Sequence, residues 1–575
     1  MTSSIQSLAA QNGSSDVIGY VVGGSLKDNL QVRLTVPSQQ VQEGGFVVIE
    51  SGAWMFYGLI TDIQLGATDP RFADEQSEAR LPAGLAQLLH GQTLYTNLAV
   101  MPALMLESGP EPGDPAYGAW RAAHPEDQTN PLPVKTVPSH HAGVRLAAAG
   151  DVAMIFGEPN GKERFVIGTT REQDLPVCID LKKLVQRSSG IFGATGTGKS
   201  FLTRIILAGM IQYNASSVLM FDMHNEYGFD DTASDTNQRV IGLRTGFPGK
   251  VRVVGLGRST SIRGQMPDFH LEIGESDIQP EDIELLTREL NLKETTSTTL
   301  DALVHTFGRA SWFHEFKSLR PNATVTTEEG KQVPAPDSVE AWAFQAGVHP
   351  GAAAGLHSKL TRVFNRPYIA EKPAADSLQE IIRTLEAGQH VVLSFGEFES
   401  DLDYLLVTNL LTRRIRSAWE ERTNHYRSHG GQEPRPLVVA VEEAHKLLNR
   451  EMAAQTTFST IARELRKYYV TLLIIDQRPS QIYDEVMSQL GTRISGWLGD
   501  DADVQAVLSG LAGREALRGM LARLQPKEEV LLLGWGVPMP IPVHSRRYDE
   551  RFWEDLKGAL PGKRKADQIL GELGF

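Results

Sequence analysis

Eight consecutive residues, Gly193-Ala194-Thr195-Gly196-Thr197-Gly198-Lys199-Ser200, have the types and spacing needed to hold phosphate. They fit G-x-x-x-x-G-K-[ST], in which glycines let backbone N–H groups turn inward around a polyphosphate. Lys199 then reaches the β- and γ-phosphates, and the Ser200 hydroxyl is a ligand for Mg²⁺. We assign ATP binding to Gly193, Ala194, Thr195, Gly196, Thr197, Gly198, Lys199, Ser200 and Phe201. A second cluster, Leu437 to His445 (LVVAVEEAH), is an apolar run delivering Glu442 and Glu443 at its end. Glu442 stands where an acidic residue supports Mg²⁺, and Glu443 is placed to polarise the water that attacks the γ-phosphate. The plain alternative is an acidic helix start, since glutamate is favoured there. A third run, Thr471 to Ile475, ends in Asp476 and Gln477. Gln477 is a candidate sensor of the γ-phosphate beside Glu443, against the reading of a simple turn residue. Asp222, His224 and Glu226 follow another apolar run, Ser217 to Phe221; Asp222 and His224 without a third ligand make a weak metal site, and support of the catalytic residues or a subunit contact is the expected role. Arg463 and Arg466, three apart on one predicted helix face, could neutralise transition-state charge or simply form a solvated basic face. Arg187 is a further candidate of the same kind.

These residues need a scaffold, and the pattern supplies one. Around the glycine loop, Ile191-Phe192 reads as a strand end and Phe201 to Tyr213 as an amphipathic helix. Apolar runs at Ser217–Phe221, Val251–Val254, His390–Phe395, Leu437–Val441, Thr471–Ile475 and Val530–Leu533 alternate with helical stretches. That alternation predicts a mainly parallel sheet covered on both faces. Upstream, short alternating runs separated by Gly and Pro begin at Val17 and end near Gly168, which predicts a small antiparallel barrel. Between about Ile273 and Leu385 the strand signal fades, and Pro280–Leu292 and Val339–Gln345 read as helices of an inserted bundle. The expected organisation is a disordered 1–15, a barrel at 16–171, an ATPase core at 172–547 interrupted at about 273–385, and a helical tail at 548–575. The Arg-rich stretch Leu411–Tyr426 reads as a helix with a solvated face.

The totals bound the class. At 575 residues the chain holds several domains, and 41% hydrophobic with 22% charged residues is an ordinary globular balance. A net charge of −14 argues against a broad basic coat for nucleic acid, though not against a local basic lining. One cysteine, Cys178, excludes an intramolecular disulfide and a cysteine zinc cluster and suits a reducing compartment. With no signal-peptide start and no apolar run of spanning length, a cytoplasmic protein without membrane contact is expected.

The ordered set of motifs resembles the HerA-type ATPases, hexameric DNA translocases of the FtsK/HerA branch of RecA-like motors. The resemblance rests on Ile18-Gly19-Tyr20-Val21-Val22-Gly23-Gly24, the Gly193–Ser200 loop, Asp222-Met223-His224-Asn225-Glu226-Tyr227 and Val441-Glu442-Glu443-Ala444-His445. It continues through Ile461 to Lys467, Gln477-Arg478-Pro479-Ser480 and Ser488-Gln489. It implies a HAS-type β-barrel, an α/β RecA-like P-loop core and an inserted helical bundle. It further implies a homo-hexameric ring with ATP and Mg²⁺ at subunit interfaces and double-stranded DNA in the channel. Lys199, Glu443 and Gln477 would bind and hydrolyse ATP, with Arg463 or Arg466 acting across the interface. The usual partner is the nuclease NurA, the pair resecting DNA ends; relatives also accompany other effectors, including Sir2-like subunits in antiphage systems. Leu465 and Tyr468-Tyr469 depart from the family pattern beside the arginines. A scaffold ATPase organising an effector is the alternative expectation. Arg244, Lys250, Arg258, Lys359 and Arg362 are candidates for DNA contact by charge and neighbourhood.

Overall fold

A computed structural model describes residues 17–558 apart from 27, 69–93, 111–112, 124–130, 160–162, 234–236, 329, 453–457, 459–460, 462–463 and 512. The chain forms two compact units, one of Met1–Leu184, Phe192–Lys199 and Gly491–Arg547, the other of Val185–Ile191, Ser200–Leu490 and Tyr548–Phe575.

In the first unit the alternating runs close into the expected barrel. Its strands pair in the order Leu30–Leu34, Gly19–Gly23, Gly143–Leu146, Phe46–Ser51, Trp54–Ala67 and Leu94–Glu107. Pairing of Leu30–Leu34 with Leu94–Glu107 closes the ring, which removes the free edges an open sheet would expose. Val32, Val47, Phe56, Ile60, Leu98, Val100 and Val144 fill it. The strand Arg164–Thr169, expected as the barrel's last, lies elsewhere. It pairs antiparallel with Pro176–Asp180 and Ile541–Ser545, in a second sheet with Thr492–Ser495 and Glu529–Gly534. Alternation marks a half-buried strand but does not say which sheet receives it. Within this unit the Arg171 guanidinium pairs with Glu529 at 2.7 Å and donates to the main-chain carbonyl of Glu43 at 2.9 Å.

The second unit carries the RecA-like sheet. Its strands run in the order Phe269–Leu271, Val251–Leu256, His390–Ser394, Ser217–Asp222, Leu437–Glu442, Val470–Asp476 and Ser189–Phe192. The first six are parallel, and each of the central four is buried along its whole length or nearly so. A strand buried on both faces must be apolar throughout, which is why these runs lack alternation. The strand His390–Ser394 is followed by the helix Asp401–His429, longer than the predicted Leu411–Tyr426 and capped by Ser400, whose side chain accepts the Asp403 N–H at 3.3 Å.

The insertion departs and returns on one short parallel pair, Ile273–Gly274 with Ile369–Ala370. Between them stand the helices Pro280–Glu284, Thr295–Phe307, Trp312–Ser318, Val339–Gln345 and Pro350–Phe364. They pack around Trp312, Phe313, Phe316, Trp342, His357 and Phe364. The helix predicted over Pro280–Leu292 stops at Glu284. There Thr287 turns its hydroxyl onto the Glu284 carbonyl at 2.6 Å, the local bond that competes with helix propagation. Of the tail, a helix Glu550–Gly558 is seen, with Trp553 against Phe247; the remainder, like residues 1–16, lies outside the described residues.

Candidate active site

The glycine loop has the backbone its composition demands. Gly196 and Gly198 adopt φ of +76° and +87°, conformations that side chains disfavour. A Cβ on Gly193 would sit 2.6 Å from the Thr197 hydroxyl, which bonds back to the Ala194 carbonyl at 2.7 Å and closes the turn. A helix, Lys199–Gln212, starts at once, so Lys199 and Ser200 occupy its first turn, where free N–H groups and the positive dipole end favour an anion. Phe201 is half-buried on that helix, and Arg187 is half-buried just ahead of the strand that feeds the loop.

In the second unit three parallel strands bring their acidic C-terminal residues to one sheet edge. Ser217–Asp222 pairs with Leu437–Glu442, which pairs with Val470–Asp476. The last of these lies next in order to the strand Ser189–Phe192. This order sets Gln477 and Glu443, residues remote in sequence, side by side: Gln477 Nε2 donates to Glu443 Oε1 at 3.0 Å. The two side chains expected beside one another are therefore in contact. Glu443 holds φ of +46°, a strained value for a glutamate.

Asp476 and His445, to which the sequence reading gives no role, fasten these two strand ends. The buried Asp476 carboxylate accepts the His445 N–H at 2.7 Å, the Arg478 N–H at 2.7 Å and the His445 ring nitrogen Nδ1 at 3.0 Å. Burial alone would raise Asp476, but the imidazolium and the two N–H donors outweigh it and hold its pKa below the ordinary carboxylate value. The same bond raises the His445 pKa against its partial burial. Nothing in the spacing links position 445 to 476; only strand order does.

Asp222 is fully buried and acts through the backbone. Its two oxygens accept the N–H groups of Glu226 at 2.7 Å and Tyr227 at 3.0 Å, which makes it a turn-former. Burial pushes its carboxyl upward, with those N–H groups and the Arg204 charge opposing. Glu226 offers its carbonyl to Arg204 at 2.6 Å, and His224 is exposed. No group of three or more metal-ligating side chains occurs among the described residues. Arg463 lies outside the described residues. Arg466 is exposed in a 3-10 turn, Leu465–Tyr468, that replaces the end of the predicted helix. Of the basic residues considered for DNA, Arg244 and Arg258 pair with Asp268 and Glu272, and Lys359 and Arg362 donate to main-chain carbonyls of Asn291 and Glu289. Lys250 is exposed.

Residues 165–415 match the family profile described as helicase HerA, central domain. The chain is 23% identical to the DNA double-strand break repair helicase HerA of Sulfurisphaera tokodaii over 97% of this chain and 98% of that protein. It is 23% identical to the protein of the same description from Pyrococcus furiosus over 77% of this chain and 78% of that one. Among solved structures, VirB4 of Thermoanaerobacter pseudethanolicus aligns with a TM-score of 0.40 and 17% identity, over 67% of this chain and 97% of that one.

Proposed function

We propose that this ATP-hydrolysing enzyme, similar over nearly its whole length to HerA helicases, moves along double-stranded DNA as a ring-forming helicase or translocase in DNA break repair. The observation that carries the chemistry is the 3.0 Å contact between Glu443 and Gln477, a carboxylate suited to activating water beside a polar group from the neighbouring strand. Likeness to break-repair helicases over nearly the whole chain carries the choice of substrate.

Within this reading Lys199 neutralises the β- and γ-phosphates, and Ser200 with Glu442 holds Mg²⁺. A hydroxyl and a carboxylate are the hard oxygen donors that such an ion takes, and Glu442 is almost fully buried at the end of its strand. The metal, when bound, screens the phosphate charge. Glu443 takes the proton of the attacking water, and Gln477 reports the γ-phosphate. Arg463 or Arg466 acts from a neighbouring copy in a hexamer, and a NurA-like nuclease or another effector receives the DNA. The site of action is cytoplasmic; no helix among the described residues is long and apolar enough to cross a membrane.

The test is ATP turnover by the full chain with and without linear duplex DNA, alongside Lys199→Ala and Glu443→Ala. Stimulation by DNA and directional movement on it are expected. Turnover indifferent to DNA would replace the motor with a ring whose nucleotide organises an effector.

A further inference from the structure

We propose that Tyr227 is a positioning residue for Glu442, locking the carboxylate that stands on the metal side of the nucleotide. Glutamate has one more rotatable bond than aspartate, and its terminal torsion is soft, so Glu442 needs an external constraint to present one oxygen in a fixed direction. Tyr227 provides it. Its side chain is completely buried, and its hydroxyl donates to Glu442 Oε1 at 2.5 Å. A second tyrosine, Tyr404, donates to the main-chain carbonyl of Glu442 at 2.7 Å, so the residue is held at both its backbone and its tip.

Tyr227 is itself immobilised from every side. The buried Asp222 carboxylate binds its N–H, and Ser394 donates to that carboxylate at 3.3 Å. Asn225, at φ of +56°, exchanges hydrogen bonds with Gly396, accepting at 2.9 Å and donating at 3.1 Å. The Arg204 guanidinium lies 5.2 Å from the Tyr227 ring centroid and donates to the Glu226 carbonyl. Arg204 belongs to the helix that Lys199 and Ser200 begin. A continuous set of contacts therefore runs from the phosphate-binding helix through Arg204 and Tyr227 to Glu442. Partners of this kind, which orient a ligand without touching the metal, typically change metal affinity or activity by about 10- to 100-fold.

This inference rests on reading Glu442 as the metal-side carboxylate, and the experiment separates the two. Mn²⁺ binding to the full-length protein with a non-hydrolysable ATP analogue is followed by electron paramagnetic resonance. Tyr227→Phe should raise the Mn²⁺ concentration for half-saturation by about 10-fold or more, while analogue binding in chelator and the melting temperature stay near wild type. In a Glu442→Asp background, whose shorter side chain the hydroxyl no longer reaches, Tyr227→Phe should add nothing. Wild-type Mn²⁺ binding in Tyr227→Phe, with or without a lower melting temperature, overturns the proposal, as does an undiminished loss in the Glu442→Asp background. Unchanged Mn²⁺ binding in Glu442→Gln would overturn the metal-side reading itself.

Discussion

Glu443 combines a strained backbone with a hydrogen bond from Gln477, and both features aim its carboxylate. Glu443→Gln keeps the shape and removes the proposed base, so turnover should fall by about 10²- to 10⁴-fold with nucleotide affinity preserved, measured by steady-state hydrolysis and equilibrium binding. The neighbouring His445–Asp476 pair adds a pH dependence. His445 has a raised folded pKa, so its contribution is full below the ordinary histidine value of about 6.5 and is lost as pH rises through the folded value. Asp476 has a lowered one, so its contribution is present above about 3.9 and is lost as pH falls through the folded value. The melting-temperature gap between wild type and Asp476→Asn should therefore be widest between those limits and narrow on the alkaline side of the His445 transition. A gap that stays constant across that transition would remove the ion pair from the account. The tight glycine loop and the strand that ends at Glu442 were legible in the sequence because turn and buried-strand composition are local. His445, Asp476 and Tyr227 were not, because their partners are set by which strands become neighbours.

Among elements, the long helix Asp401–His429 joins the sheet to the inserted bundle. Arg414 and Arg422 lie on the solvated face that their density suggests, each paired with a carboxylate, but Arg413 turns inward. Arg413 donates to the fully buried Asp282 at 2.7 Å and to the Asp277 carbonyl at 2.9 Å, with Asn409 adding a 3.0 Å bond to Asp282. Arg414 pairs with Asp277 and Arg422 with Glu386. Burial raises the Asp282 pKa even beside Arg413, so the pair is costly to break. Arg413→Ala should destabilise the insert by about 3 kcal/mol, read as loss of amide-exchange protection across residues 280–364. Replacing both partners by leucine should recover most of it. Apolar strands of the sheet were easily read, since burial on two faces leaves no polar positions. The fate of Arg164–Thr169 and the early stop at Glu284 were not, because one depends on a distant pairing and the other on a single hydroxyl.

At the scale of the molecule, a net charge of −14 sits beside a proposed DNA substrate. In the proposed ring the phosphate contacts would be concentrated on the channel lining, and binding should weaken steeply with salt. Native mass spectrometry with an ATP analogue should show six copies. Mixing Arg463→Ala with Lys199→Ala subunits should restore part of the turnover that each lacks alone; no recovery in any mixture would place the arginine outside the neighbouring site. The insertion's neck has a further consequence. Its two ends run as paired parallel strands, about 4.8 Å apart. Residues 275–368 can thus be exchanged like a cassette whose two ends are neighbours, provided the replacement keeps a crossover of about a dozen residues or more, since parallel strands cannot be joined by a tight turn. Arg413, Asn409, Arg414 and the buried Asp403 are among the groups that such a graft would have to satisfy anew, which makes them fittings by which this fold could trade one attachment for another.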